Sequence, residues 1–144
     1  MNIGAVLASK GVKVVTVRPM QTLREAVLLL AEHNIGAVVV TEESERPSGI
    51  LSERDIVRTL VRAEAVLDWP VSRIMTRDVI VGAPEDDVLT VGHTMVERRI
   101  RHLPVMERGR LVGIVSIGDI LKAQRDKYQG EVDTLQLQLL KSQA

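Results

Sequence analysis

The stretch VVTVRPMQTLREAVLLLAEHNIGAVVV, from Val14 to Val40, is repeated in outline by VIVGAPEDDVLTVGHTMVERRIRHLPVM, from Val79 to Met106. In each copy a β-branched run leads through a proline-containing turn into an amphipathic segment and then a second apolar run. Ile35 and Ile100, which open the second apolar runs, are 65 positions apart. Self-similarity at a fixed spacing indicates two copies of one structural module.

A shared seven-residue motif closes each copy. GILSERD at 49–55 corresponds to GIVSIGD at 113–119, which lies 64 positions later. The one-residue change in spacing falls in the loop between the two strands, where changes of length are tolerated.

The residue patterns predict the order β-α-β-β-α in each copy. The predicted elements of the first copy are a strand at Val14–Val17, a helix after Thr22, strands at Gly36–Thr41 and Pro47–Leu51, and a helix from Ser52. The helices of the second copy are predicted near Asp87–Arg99 and Ser116–Tyr128. Thr22 is a predicted N-cap, and Glu25 three residues later would complete a capping box.

This order predicts an α/β (α+β) fold made of two β-α-β-β-α units. We divide the chain into a first unit with its lead-in at 1–67, a second unit with its linker at 68–126, and a C-terminal amphipathic helix or tail at 127–144. Pro70 in the linker is a helix stop.

Composition narrows the classes of function. The formal net charge is zero, which argues against a nucleic-acid binder. One Trp, one Tyr and no Phe leave no stacking platform for bases, and the absence of Cys excludes disulfides and thiolate metal sites. The sequence has no apolar run long enough to span a membrane and no signal-peptide pattern, so it predicts a soluble cytoplasmic protein.

The chain resembles the tandem CBS-domain pair, or Bateman module, from about Val6 to about Gln124. The resemblance is carried by the element order, by IRHLPV at 100–105, by the IMTRDV lead-in at 74–79 and by the two Gly-hydrophobic-x-Ser-x-x-Asp motifs. It implies two units packed sheet against sheet about a pseudo-twofold axis. It also implies two clefts between the units, which in this family commonly take AMP, ADP, ATP, NAD, S-adenosylmethionine or related adenosyl compounds.

The two Ser-x-x-Asp motifs have the chemistry that a nucleotide site needs. A carboxylate can accept hydrogen bonds from both ribose hydroxyls, and a helix N-terminus with a serine favours phosphate. Gly49 and Gly113 would let the preceding strand approach the ligand. The alternative is that each serine and aspartate merely caps its helix. Both interpretations can hold together.

The resemblance further implies that each cleft mixes the two units. One cleft would combine Ser116 and Asp119 with Val15, Ile35 and Gly36. The other would combine Ser52 and Asp55 with Thr76, Ile80, Ile100, Arg101 and the neighbouring His102. The lead-in Ser9-Lys10-Gly11 is irregular, so Ser9 and Lys10 are left out of the predicted ligand set.

Arginines distinguish the two predicted clefts. Arg101 is interpreted either as a cation for a polyphosphate or as surface charge. Arg98 and Arg99 could help Arg101 to neutralise a polyphosphate or, as we favour, form a solvated helix end. Arg54 and Arg58 are either phosphate contacts or surface charge. An accompanying Mg²⁺ is compatible with a polyphosphate ligand.

Catalysis is not predicted. His33, His93 and His102 lack metal-ligand spacing with one another or with an acid. The chain has no nucleophile elbow, Walker loop or dinucleotide fingerprint.

The tail has an apolar stripe at Tyr128, Val132, Leu135 and Leu139, interrupted by Gly130, which weakens a helix by about 1 kcal/mol. The stripe would dock on a partner or second copy, or cover the module's own sheet; we favour a homodimer.

Taken together, these patterns predict a regulatory adenine-nucleotide sensor that signals ligand occupancy to an unidentified protein partner. The alternative is a ligand-independent oligomerisation or scaffold module. Intact aspartates at both motifs, Asp55 and Asp119, favour the sensor.

Overall fold

The computed structural model describes residues 1–11, 14–43 and 45–143. Its elements are α1 (Ile3–Lys10), β1 (Thr16–Val17), α2 (Leu23–His33), β2 (Ala37–Thr41), β3 (Pro47–Ser52), α3 (Glu53–Leu60), α4 (Val88–Glu97), β4 (His102–Glu107), β5 (Arg110–Ser116) and α5 (Ile117–Ser142). Two short 3₁₀ turns, Val66–Asp68 and Val71–Arg73, lie in the linker. The predicted mixed α/β architecture is confirmed.

A three-stranded sheet forms the centre of the first unit. β2 pairs in parallel with β1 and antiparallel with β3, and every residue of β2 is buried, as suits the run Ala37–Thr41 at the middle of a covered sheet. The first strand is shorter than the predicted Val14–Val17: only Thr16 and Val17 pair with β2.

The helix after Thr22 is confirmed, but its predicted capping box is incomplete. The Thr22 hydroxyl accepts a hydrogen bond from the backbone N–H of Glu25. The Glu25 carboxylate accepts one from the Gln21 side chain, 2.9 Å away, and the reciprocal bond to the Thr22 backbone is replaced.

The second unit is built on the antiparallel hairpin of β4 and β5. The strand predicted to open this unit near Val79 is replaced by an isolated parallel bridge between Gly82 and Val105. The pairing does not extend back toward Val79 because Pro104, which stands where the first unit has Val39, has no N–H to donate to the neighbouring segment.

The two hydrophobic cores exchange their lead-in segments. Ile3, Val6 and Leu7 of α1, at the very start of the chain, are buried in the core of the second unit. Val66, Val71 and Met75, which precede the second unit in sequence, are buried in the core of the first. The two units are therefore tied together by crossed segments, and the linear boundaries at 67 and 126 stay a prediction.

Two equivalent glycines receive these crossed segments. A Cβ added to Gly113 would lie 2.6 Å from Leu7 Cδ2, and one added to Gly49 would lie 2.8 Å from Met75 Cγ. The space beside these glycines is filled by the side chains of Leu7 and Met75. Gly113 also lines a cleft, so its role in letting the strand approach a ligand stays a prediction.

The last helix runs without a break from Ile117 to Ser142, through Gly130. Along its outer part Tyr128 is 65% exposed and Leu135 is 59% exposed. The alternative in which this stripe covers the module's own sheet is therefore wrong.

Candidate nucleotide site

Both Ser-x-x-Asp motifs form complete capping boxes at the starts of α3 and α5. Asp55 Oδ2 accepts from the Ser52 backbone N at 3.0 Å, and Asp119 Oδ2 accepts from the Ser116 backbone N at 2.8 Å. The capping interpretation is therefore correct. It leaves the second oxygen of each carboxylate for other partners, and each carboxylate also lines a cleft between the two units.

The first of these cavities, which we name the arginine cleft, has a volume of about 480 Å³. It lies between the start of α3 and the connection from α4 to β4, so both units contribute. Its lining residues are Gly36, Ile50, Ser52, Glu53, Arg54, Asp55, Arg58, Thr76, Arg98, Arg99, Ile100, Arg101 and His102. This volume falls in the range of small-molecule sites.

Five arginines line the arginine cleft, against two carboxylates, those of Glu53 and Asp55. In the described part of the chain, none of these five guanidinium groups pairs with a carboxylate. The cleft therefore carries unneutralised positive charge. Arg98 and Arg99 belong to the cleft wall, so the favoured interpretation, a solvated helix end, is incomplete, and the alternative of a phosphate contact stays a prediction.

Arg99 has an unusual backbone conformation. Its φ is 55°, in the left-handed region, and the same place in the first repeat is taken by Asn34 with a φ of 52°. Asparagine tolerates this conformation, whereas for an arginine it costs about 1 kcal/mol or more. The chain thus keeps an arginine where a smaller residue would fit the backbone better.

The second cavity, which we name the lysine cleft, has a volume of about 290 Å³. Its lining residues are Leu7, Lys10, Gly11, Val14, Val15, Asn34, Ile35, Gly36, Ala37, His102, Gly113, Ile114, Ser116 and Asp119. Lys10, at the end of α1, donates to Asp119 Oδ2 at 2.7 Å and to the Ile114 carbonyl oxygen at 3.0 Å.

The two cleft aspartates therefore differ in their surroundings. Burial raises the pKa of Asp119, but the hydrogen bonds from Lys10 and Ser116 outweigh it and bring the pKa below its usual value. Asp55 is without an ion-pair partner among the described residues, and its Oδ1 accepts a long hydrogen bond of 3.4 Å from the Thr76 hydroxyl. The Asp55 carboxylate is thus more available to a ligand than that of Asp119.

His102 and Gly36 form a wall common to both clefts. A Cβ added to Gly36 would lie 3.2 Å from His102 Nε2, so a larger residue at Gly36 would press on the imidazole. Burial, reinforced by the positive charge of Lys10, lowers the pKa of His102 below 6.5 despite the opposing charges of Glu53 and Asp119.

The structure brings together nearly all of the predicted site residues. Ser116, Asp119, Val15, Ile35 and Gly36 line the lysine cleft, with His102. Ser52, Asp55, Thr76, Ile100, Arg101 and His102 line the arginine cleft. Their roles as ligand contacts stay a prediction.

Ile80 is the exception. It packs against the core of the second unit and lines a separate cavity with Gly82 and Leu103. Its placement in the arginine cleft was wrong, because the segment after Val79 does not form the strand that would have directed it there.

Sequence reasoning missed the Lys10–Asp119 pair, because the helix that carries Lys10 was not predicted. The apolar spacing of Ile3, Val6 and Leu7 was a usable signal for this helix.

Comparison with known proteins assigns the family. The CBS domain family matches residues 6–62 and 71–126. The CBS domain-containing protein YhcV of Bacillus subtilis is 35% identical over 108 residues, which are 75% of this chain and 76% of that protein. The crystal structure of the CBS-domain protein ATU1752 from Agrobacterium tumefaciens has a TM-score of 0.82 and 40% identity, and covers 86% of this chain and 99% of its own.

A further solved structure contains bound ligands. It is the CBS domain pair of protein MJ0100 in complex with 5-methylthioadenosine and S-adenosyl-L-methionine, with a TM-score of 0.78, 26% identity, and coverage of 88% of this chain and 98% of its own. The fold and the paired clefts define a tandem CBS pair. The chain belongs to the CBS domain family.

Proposed function

We propose that the protein is a regulatory module that binds an adenosyl ligand between its two CBS units and does not transform it. The observation that carries the proposal is the position of Asp55, whose carboxylate caps α3 through Oδ2 and lines a cleft of about 480 Å³. The complex of MJ0100 with two adenosyl compounds supports the same class of ligand.

The cleft has the groups that such a ligand requires. A carboxylate accepts hydrogen bonds from adjacent ribose hydroxyls, and the first turn of α3 presents backbone N–H groups to a phosphate. Ile50 and Ile100 offer aliphatic surface for a purine, which suits a chain with one Trp, one Tyr and no Phe.

The proposed role is signalling because the cleft walls come from different units. A ligand that contacts α3 of one unit and the α4–β4 connection of the other favours whichever arrangement of the units fits it best. Ligand occupancy would then change the surface offered to a protein partner. The described residues include no cluster of metal-ligating side chains, so we assign no metal-dependent step. None of the described helices is long and apolar enough to cross a membrane.

Calorimetric titration of AMP, ATP, NAD and S-adenosylmethionine tests this proposal in the wild type and in Asp55→Ala and Asp119→Ala. Losing charge-assisted hydrogen bonds to ribose is expected to raise Kd by roughly 10- to 150-fold in the variant whose cleft is used. Asp87→Ala is the matched control, because Asp87 caps α4 but lies outside both clefts.

Asp87 is the N-cap residue of α4, whereas Asp55 and Asp119 are the N3 residues of their capping boxes, so each variant loses a hydrogen bond at a helix start. Thermal unfolding of all three is measured beside binding, and a loss of affinity in a variant at least as stable as Asp87→Ala is assigned to ligand contact. Failure of the folded wild type to bind any of the four compounds would falsify the sensor and favour the scaffold alternative.

We also propose that the tail of α5 pairs with the tail of a second copy. The exposed residues Tyr128, Val132, Leu135 and Leu139 form an apolar seam with heptad spacing, which begins after Arg125. The positions that flank this seam are uncharged except for Glu131, so little like charge faces an identical tail. The flanking residues are Gln129, Glu131, Gln136 and Gln138.

Light scattering after gel filtration tests the pairing. The wild type is expected to be a dimer, and the double variant Leu135→Gln/Leu139→Gln is expected to shift toward monomer as the apolar seam is lost. Val61→Gln, at a residue that is 85% exposed on the first unit, should leave the dimer intact. A monomeric wild type, or a double variant that stays dimeric, would show that the tails do not pair.

A further inference from the structure

We propose that the two clefts are not equivalent: the arginine cleft selects nucleotides with two or more phosphates, while Lys10 keeps the Asp119 carboxylate of the lysine cleft occupied. This inference rests on the proposed function and specifies its ligand. The sequence repeat alone would predict two similar clefts. The inference follows from three differences between them: their charge, their volume and the ion pair between Lys10 and Asp119.

The first argument is charge. Arg54, Arg58, Arg98, Arg99 and Arg101 surround the arginine cleft and, within the described residues, are free of carboxylate partners. The five arginines outnumber the two carboxylates of the cleft, so the cleft has an excess of positive charge. A single phosphate neutralises only part of this excess, whereas a di- or triphosphate neutralises more of it. Guanidinium groups suit the task because each can donate two parallel hydrogen bonds to phosphate oxygens.

The second argument is the placement of the cations relative to Asp55. Arg54 and Arg58 follow Ser52 on α3, and Arg98, Arg99 and Arg101 come from the facing connection of the other unit. A ribose held by Asp55 would therefore have cations on both sides of its phosphate chain. A chain of several phosphates can contact both groups, and a single phosphate reaches fewer of them.

The third argument is the backbone of Arg99. A left-handed φ of 55° at this position is tolerated better by asparagine, which the first repeat has at Asn34. Strained residues are common at functional sites, although Arg108 shares this conformation in the β4–β5 turn outside both clefts, so the strain counts only together with position. Arg99 lines the arginine cleft, where its side chain can contribute charge.

The lysine cleft lacks these features. Its cation, Lys10, is already bound to Asp119 at 2.7 Å, and its volume of about 290 Å³ is smaller. Lys10 and the Ser116 backbone N–H both donate to Asp119 Oδ2, so a ribose in this cleft would have to share the carboxylate with Lys10 through Oδ1 or displace the lysine. We therefore expect one tightly bound nucleotide per chain.

Titration of ATP, ADP and AMP into the full chain, without divalent cations, tests the inference. The wild type is expected to bind one ATP per chain and to have a Kd for ATP about tenfold or more below its Kd for AMP. The reason is that even one additional charge-assisted hydrogen bond to a phosphate lowers Kd by about tenfold or more. Arg58→Gln/Arg101→Gln should raise Kd for ATP by roughly tenfold or more and Kd for AMP by less, so that the preference collapses. Arg110→Gln, an exposed strand residue outside both clefts, is the matched control.

Arg99→Asn separates ligand contact from folding. Because asparagine relieves the left-handed strain, this variant is expected to unfold at the same temperature as the wild type or higher, and still to bind ATP more weakly. A loss of ATP affinity without a loss of stability supports the role of the side chain.

Different outcomes test the phosphate preference and the proposed adenosyl-sensor function separately. Equal affinity for AMP and ATP in a binding reaction that depends on Asp55 would overturn the phosphate preference and leave the adenosyl sensor intact. Binding of two ATP molecules per chain with equal affinity would overturn the proposal that Lys10 keeps the Asp119 carboxylate of the lysine cleft occupied. Absence of binding by any nucleotide would overturn both proposals.

Discussion

Leu7→Ala is expected to lower the free energy of unfolding by about 2–5 kcal/mol. The Leu7 side chain is 6% exposed, fills the space beside Gly113 and packs in the core of the second unit. Removing it leaves a cavity between α1 and β5 that the glycine cannot close.

Urea unfolding followed by circular dichroism measures this loss, and Leu28→Ala is the matched control. Leu28 is also a helical leucine, but it is 62% exposed on α2, so its truncation is expected to change stability by less than about 0.5 kcal/mol. Similar stabilities for the two variants would contradict the burial of α1 and, with it, the crossed arrangement of the lead-in segments.

The crossed arrangement explains what the sequence could and could not predict. The repeat, the hairpins and the capped starts of α3 and α5 follow from local patterns, since Ser52-x-x-Asp55 and Ser116-x-x-Asp119 act within one helical turn. Which lead-in segment packs on which core depends on tertiary packing. The local sequence around Leu7 or Met75 gives no signal for that pairing.

The same limit applies to the candidate site. The resemblance placed Ser52, Asp55 and Arg101 in one cleft, and the structure agrees. It left open whether the remaining arginines of α3 and of the α4–β4 connection reach the same cavity, because these two segments lie some 40 residues apart in the chain. Nor could it show that Lys10 reaches Asp119, which is 109 residues away.

Ile80 shows how a repeat can mislead. Its counterpart Val15 lines the lysine cleft beside β1, so equivalence predicted a matching place in the arginine cleft. Pro104 stands where the first unit has Val39 and has no N–H to donate, so the parallel pairing shrinks to the bridge at Gly82, and Ile80 lines a different cavity. The turn itself is alike in both units, since the Arg18 N–H donates to the Gln21 side chain as the Ala83 N–H does to Asp86.

Gly49→Ala is expected to destabilise the protein by about 1–3 kcal/mol through overpacking. A Cβ at this position overlaps the Met75 sulfur and lies 3.0 Å from the Thr76 carbonyl oxygen. That carbonyl accepts a hydrogen bond from the Ile50 backbone at 2.9 Å, so the backbone there has little freedom to retreat. Met75 therefore has to leave its place in the first core.

A double-mutant cycle identifies Met75 as the cause. Met75→Ala alone leaves a cavity in the first core and is expected to cost about 2–5 kcal/mol. Combined with Gly49→Ala, it should cost less than the sum of the single variants by about 0.5–3 kcal/mol, because the new methyl group partly fills the space that the methionine vacates.

The control for this cycle is Gly130→Ala, which makes the same chemical change where a Cβ meets no atom within 4 Å. On an exposed helix it should be neutral or stabilising by up to about 1 kcal/mol. Additive effects of Gly49→Ala and Met75→Ala would show that the contact between Gly49 and Met75 does not determine where the methionine packs. Coupling would establish that this contact holds the lead-in, and with it Thr76, against the wall of the arginine cleft.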